Sequence, residues 1–392
     1  MKIIHCSDLH LGKRPSGTKK YSDIRFEDFF RAFDDLINKI TNLEVDVFII
    51  SGDIFDKKEI NANILEKTEN LLRKLKQLKK DMKIIAIEGN HDIISSKEDS
   101  WLEYLKTKGY LEVYSYKKEF EKLNYFKIDD INFYAVGYPG FMVDKVLEEL
   151  SEKINENEKN IVIVHTGISG SDTLPGLVST KIIDLFKDKV IYMAAGHIHS
   201  FTTYPKEKPY FFISGSLEFS NVANEKSDKK GAIYFDTDTR TFEFIEVEHR
   251  KRIKTPTFEF KEDIEKEFEK FLENIEMTGE ELLIVPIKNT KNSYINSDRL
   301  EHIALEKGAL KTYFNIKNTF NLTTNLEESE SLNKSEFEKM LIKSWGVLKD
   351  DNILATNFET LKSLYENSQK DDFIKLFDKV LEEDFIEWED EK

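Results

Sequence analysis

Seven side chains able to lend a lone pair to a metal ion, Asp8, His10, Asp53, Asn90, His165, His197 and His199, each stand just beyond a short apolar run. Lys2 to Cys6 opens into Ser7-Asp8-Leu9-His10, and in extended backbone residues two apart project to the same side, so carboxylate and imidazole would stand together. Val45 to Ile50 ends in Ser51-Gly52-Asp53, where glycine allows the sharp turn and close approach that would aim the carboxylate into a crevice at the sheet edge. Met82 to Ile87 ends in Gly89-Asn90-His91-Asp92, which sets a neutral oxygen donor beside a titratable imidazole. Asn160 to Val164 delivers His165, and Val190 to Ala195 delivers Gly196-His197-Ile198-His199, whose imidazoles would again face one way. Taken singly, Asp8-Leu9-His10 and Gly52-Asp53 read as turns, and His165 as an ordinary core or surface residue. Their shared position at strand ends is what points to metal. In a parallel sheet such ends converge on one edge, which suits two octahedral ions roughly 3.5–4 Å apart that share a carboxylate. Imidazole, carboxylate and amide oxygen without thiolate favour manganese or iron over a structural zinc.

The elements that must position these groups follow from hydrophobic spacing. The strands are almost continuously apolar, as expected of a sheet covered by helices. Phe26, Phe29, Phe30, Phe33, Leu36, Ile37 and Ile40 predict one helix, Ile64, Leu71, Leu72, Leu75 and Leu78 a second, and Trp101, Leu102 and Leu105 a short third. From Ile131 to Val136 onward the pattern changes to short strands. Tyr210 to Ile213, Gly231 to Phe235 and Thr241 to Val247 predict a second sheet packed on the first. Thr166 to Gly170 reads as a loop. After Pro256 a helix over Ile264 to Ile275, a strand over Leu282 to Ile287, a helix over Asp298 to Glu306 and a strand over Leu310 to Ile316 predict a compact αβαβ module. The polar stretch from Asn321 to Ser335 reads as a linker, followed by acidic helical stretches around Phe337 to Trp345 and Leu361 to Phe385. The expected division is therefore 1–254, 255–320, a linker over 321–335, and a helical segment over 336–392.

Composition excludes other classes. Apolar residues make up 40% and charged residues 34% of 392, with 29 Phe, which is globular and not disordered. No apolar run is long enough to cross a membrane and the N-terminus lacks a signal-peptide pattern, so a cytoplasmic protein is expected. Cys6, the single cysteine, sits in an apolar strand as small filler. A net charge of −16 excludes nucleic-acid binding by bulk charge. The cations that could meet phosphates are concentrated at Lys13, Arg14, Lys19 and Lys20, expected in a loop behind the first candidate ligands, and in His249 to Lys254, which holds Arg250 and Arg252.

The ordered set formed by Asp8-Leu9-His10, Gly52-Asp53 with Asp56, Gly89-Asn90-His91-Asp92, His165 and Gly196-His197-Ile198-His199 resembles the calcineurin-like metallophosphoesterases. Within that superfamily, Ser7 to Lys13 and Ala195 to His199, followed by Ile213-Ser214-Gly215-Ser216, resemble the SbcD-type DNA double-strand-break repair nucleases. The phosphoesterase resemblance covers about residues 1–250; beyond 255 it rests on layout. It implies a four-layer α/β fold, two packed sheets flanked by helices, with a small α+β capping domain and a C-terminal helical segment. It also implies two manganese ions, with iron or magnesium as alternatives: one held by Asp8, His10, Asp53 and His199, the other by Asp53, Asn90, His165 and His197, with Asp53 bridging. A bridging hydroxide would attack the phosphodiester, and His91 would position the phosphate and help the leaving oxygen depart, with Asp56 or Asp92 holding its tautomer. Some nucleases of the family carry histidine where this chain has Asp56. The implied activity is exonuclease and endonuclease processing of DNA ends. The implied partners are a second copy of the chain, through helices near Asn61 to Lys80 and Trp101 to Leu105, and an SbcC-like SMC-type ATPase whose coiled coil docks on the C-terminal helices. A phosphoesterase acting on small phosphodiesters or phosphoproteins would use the same metal pair, but leaves the module and tail without a task.

Overall fold

The computed structural model describes residues 1–93, 100–114, 125–169, 176–259, 264–289, 295–318, 357, 360–361, 364 and 370–382. Side-chain alternation builds two stacked sheets with helices outside. On β1 (Lys2–Cys6), Ile4 and Cys6 join a core shared with α1 (Lys19–Ile40), while Ile3 faces the space between the sheets. β2 (Val47–Ile50) repeats the division, with Phe48 and Ile50 on the helix side and Val47 and Ile49 between the sheets. α2 (Ala62–Leu78), β3 (Lys83–Ile87), α3 (Trp101–Thr107) and β4 (Glu112–Tyr114) continue the pattern, and β1 to β4 run parallel. The aromatic stripe of α1 is buried, as its spacing predicts. Its start differs from expectation: the Thr18 side chain accepts the Tyr21 N–H at 3.2 Å, so Lys19 and Lys20 form the first helical turn instead of a loop.

The second sheet is built from β5 (Tyr125–Ile128), β6 (Ile131–Gly137), α4 (Val143–Lys153), β7 (Lys159–Val164), β8 (Gly167–Ile168), β9 (Leu177–Val178), α5 (Thr180–Asp184), β10 (Tyr192–Ala195), β11 (Thr202–Tyr204) and β12 (Phe211–Ile213). Its order is β11-β12-β10-β7-β6-β5, while β8 and β9 pair separately within the stretch expected to be only a loop. Between the sheets, Ile49, Ile85 and Ile87 meet Phe133, Ile161, Ile163 and Phe212. His5 bridges them as well, with Nδ1 2.8 Å from the Tyr192 hydroxyl and Nε2 2.8 Å from Ser51 Oγ. Burial pushes its pKa down to about 3, so the bridge is uncharged.

β13 (Gly231–Asp236) and β14 (Thr241–Glu246) correct the expectation that they extend the second sheet. β13 lies antiparallel on β1, with Lys2 opposite Asp236, so the first sheet runs β14-β13-β1-β2-β3-β4. Alternation marks a strand but not the edge it joins; here Ile233 and Phe235 fit the inter-sheet core and Ala232 the helix side.

A third sheet holds β15 (Arg252–Lys254), β16 (Phe258–Glu259), β17 (Glu281–Asn289) and β18 (Ala309–Asn318), with α6 (Ile264–Leu272) and α7 (Ser297–Glu306) on one face. Leu283, Val285 and Ile287 pack there against Phe268, Leu272, Leu300 and Ile303. The alternate residues Leu282 and Ile284, with Leu310, pack on Tyr21, Phe219 and Val222. Contacts divide the chain into one compact unit of Met1–Asn289 with Ser293–Lys317, and another of Thr290–Asn292 with Asn318–Lys392. In the latter, α8 (Lys370–Glu382) stacks Phe373 on Phe377 and leaves Ile374 and Phe377 exposed. The expected linker and the helix over Phe337 to Trp345 lie outside the described residues, as does most of the stretch from 362 to 369.

Candidate metal centre

The loops after β1, β2 and β3 of the first sheet meet those after β7 and β10 of the second. The expectation of a single sheet edge is thereby corrected: two sheets, stacked with their parallel strands ending on one side, bring the groups together. Neither the Asp8–His10 pair nor the His197–His199 pair lies wholly on extended backbone. Asp8, His10, Asp53 and His197 have φ of 53°, 45°, 54° and 75°. Each such left-handed residue costs about 1–2 kcal/mol. Cross-loop hydrogen bonds hold them, Asp8 N–H to Gly52 O at 3.0 Å and His10 N–H to Asp53 O at 3.1 Å. Two glycines are required by contact: a Cβ on Gly52, at φ 99°, would lie 2.2 Å from His165 Nδ1, and one on Gly89 2.0 Å from Asp53 Oδ1.

Donor atoms about 2.1 Å from one ion and at right angles stand about 3 Å apart. Nε2 of His10 and Nε2 of His199 are 3.1 Å apart, with Asp8 Oδ1 3.8 Å from the latter. Asn90 Oδ1 is 3.1 Å from His165 Nε2 and 3.0 Å from His197 Nδ1. Asp53 Oδ2 lies 3.3 Å from His165 Nε2, beside the second group, while its charge also reaches His10. Facing ring nitrogens, carboxylates and an amide oxygen at this spacing fit divalent cations.

The protonation of the cluster agrees. Burial drives His10 well below its usual pKa, leaving a neutral imidazole whose Nδ1 has no hydrogen-bond partner. Burial also opposes charge on Asp53, but His165, His10 and the His91 N–H at 2.9 Å hold its carboxyl well below the usual range. His165 is buried too, yet the neighbouring Asp53 raises it to about 9. Burial and the neighbouring His165 lower His197.

His91 stands beside these donors, its ring 5.0 Å from that of His10. Its Nδ1 lies 2.6 Å from the Asp56 backbone carbonyl, which leaves Nε2 as the atom free to exchange a proton. That corrects the expectation that a carboxylate holds its tautomer. The Asp56 carboxylate turns instead to Lys13 Nζ at 2.7 Å and His10 Nδ1 at 3.6 Å. Asp92 accepts the N–H groups of Ile54, Phe55 and Gly89, clamping the two loops, and burial with the nearby Asp53 raises it to about 7.

Of the expected phosphate contacts, Lys19 and Lys20 are exposed, Arg14 pairs with Asp23 at 2.5 Å, and Lys13 is held by Asp56. Arg250 and Arg252 are placed otherwise than expected. Arg250 is buried against Asp28, with Nε 2.9 Å from Oδ2, in a set that includes Arg25 and Glu218. The Arg252 side chain is fully covered and donates to the carbonyls of Val222, Glu225 and Ser227. Their charges are satisfied internally. Sequence reasoning missed Tyr138, whose ring centroid lies 5.9 Å from those of both His165 and His197, and Glu225, which faces His199. No spacing signal marks either, since both lie in irregular loops.

Among known proteins, the chain is 26% identical over 322 residues to the DNA double-strand break repair protein Mre11 of Methanosarcina mazei, covering 79% of this chain and 49% of that protein. It is 27% identical over 358 residues to the protein of that name from Methanococcus maripaludis, covering 87% and 89%, and 26% identical over 306 residues to that from Sulfolobus acidocaldarius, covering 74% and 75%. The chain thus spans about half the length of the Methanosarcina relative. The calcineurin-like phosphoesterase family profile matches residues 1–201, the stretch that carries every candidate ligand, and the chain belongs to that family.

Proposed function

We propose that this chain is a dinuclear-metal nuclease that hydrolyses phosphodiester bonds at DNA ends during double-strand-break repair. The observation that carries the reading is the pair of donor groups at roughly 3 Å spacing, with His91 beside them and its Nδ1 on the Asp56 carbonyl. The relatives' shared description as DNA break repair proteins supplies the substrate class.

In this reading Asp8, His10, Asp53 and His199 hold one ion and Asp53, Asn90, His165 and His197 the other. Divalent ions held there, manganese by the chemistry of the donors, would supply Lewis acidity toward the phosphodiester oxygens and lower the pKa of water toward about 7. Neutral imidazoles and an amide limit the negative charge met by the incoming phosphate. His91 in its imidazolium form donates from Nε2 to the leaving oxygen as the P–O bond breaks, while its Nδ1–H stays on the Asp56 carbonyl. In this reading the third sheet serves DNA recognition, a second copy packs on α2 and α3, and α8 offers its exposed Ile374 and Phe377 to a coiled-coil ATPase of the SMC type.

The test is His91→Ala in the full chain. Metal content, measured by inductively coupled plasma spectrometry on the Mn²⁺-loaded protein, stays at two ions, and cleavage of duplex ends falls by about 10²–10⁴. Wild-type protein that hydrolyses bis(p-nitrophenyl) phosphate but leaves DNA ends intact at every metal tried would overturn the substrate assignment.

A further inference from the structure

A histidine that binds metal is held from behind, because the partner of its distal nitrogen fixes tautomer and ring orientation. At His165 that partner is the Ser51 carbonyl, 2.8 Å from Nδ1. His199 has a different one: its Nδ1 lies 3.3 Å from Glu225 Oε1. Glu225 is buried, and Oε1 also accepts the N–H groups of Ser220 at 2.8 Å and Asn221 at 2.7 Å. Its other oxygen pairs with the ammonium of Lys230, a residue fully removed from solvent. Lys230 Nζ donates in addition to the His199 carbonyl at 2.9 Å and to Ser216 Oγ at 2.8 Å.

The ring and the main chain of one residue are therefore gripped by the two members of a buried ion pair. Such a pair is weak evidence for stability, since apolar groups of equal volume serve as well. What it adds here is direction. A carboxylate facing Nδ1–H leaves the lone pair on Nε2, the atom that lies 3.1 Å from His10 Nε2.

We propose that Glu225, anchored by Lys230, is a positioning residue that orients His199 and strengthens the ion site formed with Asp8 and His10. The proposal rests on His199 being a ligand. The geometry is held from two sides: the carboxylate faces the ring's Nδ1, and Lys230 prevents that carboxylate from turning away. His165, by contrast, sets its Nδ1 on the neutral Ser51 carbonyl.

The experiment is calorimetric titration of the metal-free full chain with Mn²⁺. Glu225→Gln keeps shape and one acceptor oxygen, and is expected to weaken one of two binding events by about tenfold while the other is unchanged; Glu225→Ala should weaken it by up to about a hundredfold. Because Glu225→Ala strands a buried ammonium, the double variant Glu225→Ala/Lys230→Met is titrated beside it. A double-mutant cycle separates positioning from mere scaffolding: in a His199→Ala background, Glu225→Gln should cause no further loss. An unchanged titration in folded Glu225→Gln, an equal loss with and without His199, or variants that all unfold before losing metal would overturn the proposal. A His199→Ala chain that binds Mn²⁺ as tightly as wild type would instead sink the ligand assignment beneath it.

Discussion

The basic run His249 to Lys254 and the basic stretch Lys13 to Lys20 differ in what surrounds them. In the run, the Arg250 side chain is 5% exposed and that of Arg252 fully covered, while only Lys251 and Lys254 reach out. In the stretch, the Arg14 side chain is 47% exposed and both lysines stand free on the first turn of α1. Guanidinium suits the buried sites of this run because its planar fork meets two oxygens at once, whereas the run's two lysine ammonium groups stay hydrated outside. Charge density along a sequence is thus no guide to the field a partner meets; the share that folding neutralises must be removed first. A second contrast follows. Lysines at the positive end of a helix dipole work against the helix, and α1 has no acidic residue in its first turn to offset them.

The largest effect expected from this comparison is at Arg250. Arg250→Ala leaves Asp28 and Glu218 under-compensated in the interior and should lower stability by about 3–5 kcal/mol, read from urea denaturation. A loss below about 1 kcal/mol would mean that the buried set is idle. Next in size is acid sensitivity at His5, a polar group kept neutral by burial, not by pairing. Its folded pKa of about 3 lies below the unfolded value, so its contribution is whole above about pH 6.5 and is lost as pH falls toward 3, at about 1.4 kcal/mol per unit. His5→Gln should flatten that acid limb in thermal melts at pH 4–7; an unaltered slope would place the titration elsewhere. The smallest effect has the opposite sign. Lys19→Glu with Lys20→Glu should raise stability by about 0.3–1 kcal/mol through the dipole. The same pair should weaken duplex binding and reduce the slope of log K against log salt by about 2. A double variant that binds DNA with an unchanged slope would remove these lysines from the interface.

The chemistry of the site was more legible than its geometry. Gly89-Asn90-His91-Asp92 and Gly196-His197-Ile198-His199 announce donors because few structural needs put those types together. The extended backbone inferred for Asp8 and His10 fails, since positive φ at a non-glycine residue is imposed by hydrogen bonds from a loop more than forty residues away. Most strands were legible as short apolar runs, down to β1 at Lys2–Cys6. The sheet that β13 joins was not, because pairing partners are chosen by the whole core. Arg250 shows the same gap for charge: its partner Asp28 lies on α1, and nothing local reveals it.

The span of the donor set has a consequence during synthesis. His10 Nε2 and His199 Nε2 come within 3.1 Å of each other across 189 residues of chain, and Asn90 needs both His165 and His197. A nascent polypeptide carries Asp8, His10 and Asp53 long before it carries the rest. Until translation passes His199 and the second sheet docks, no complete centre exists. The order in which residues leave the ribosome therefore sets the moment at which the donor set can close.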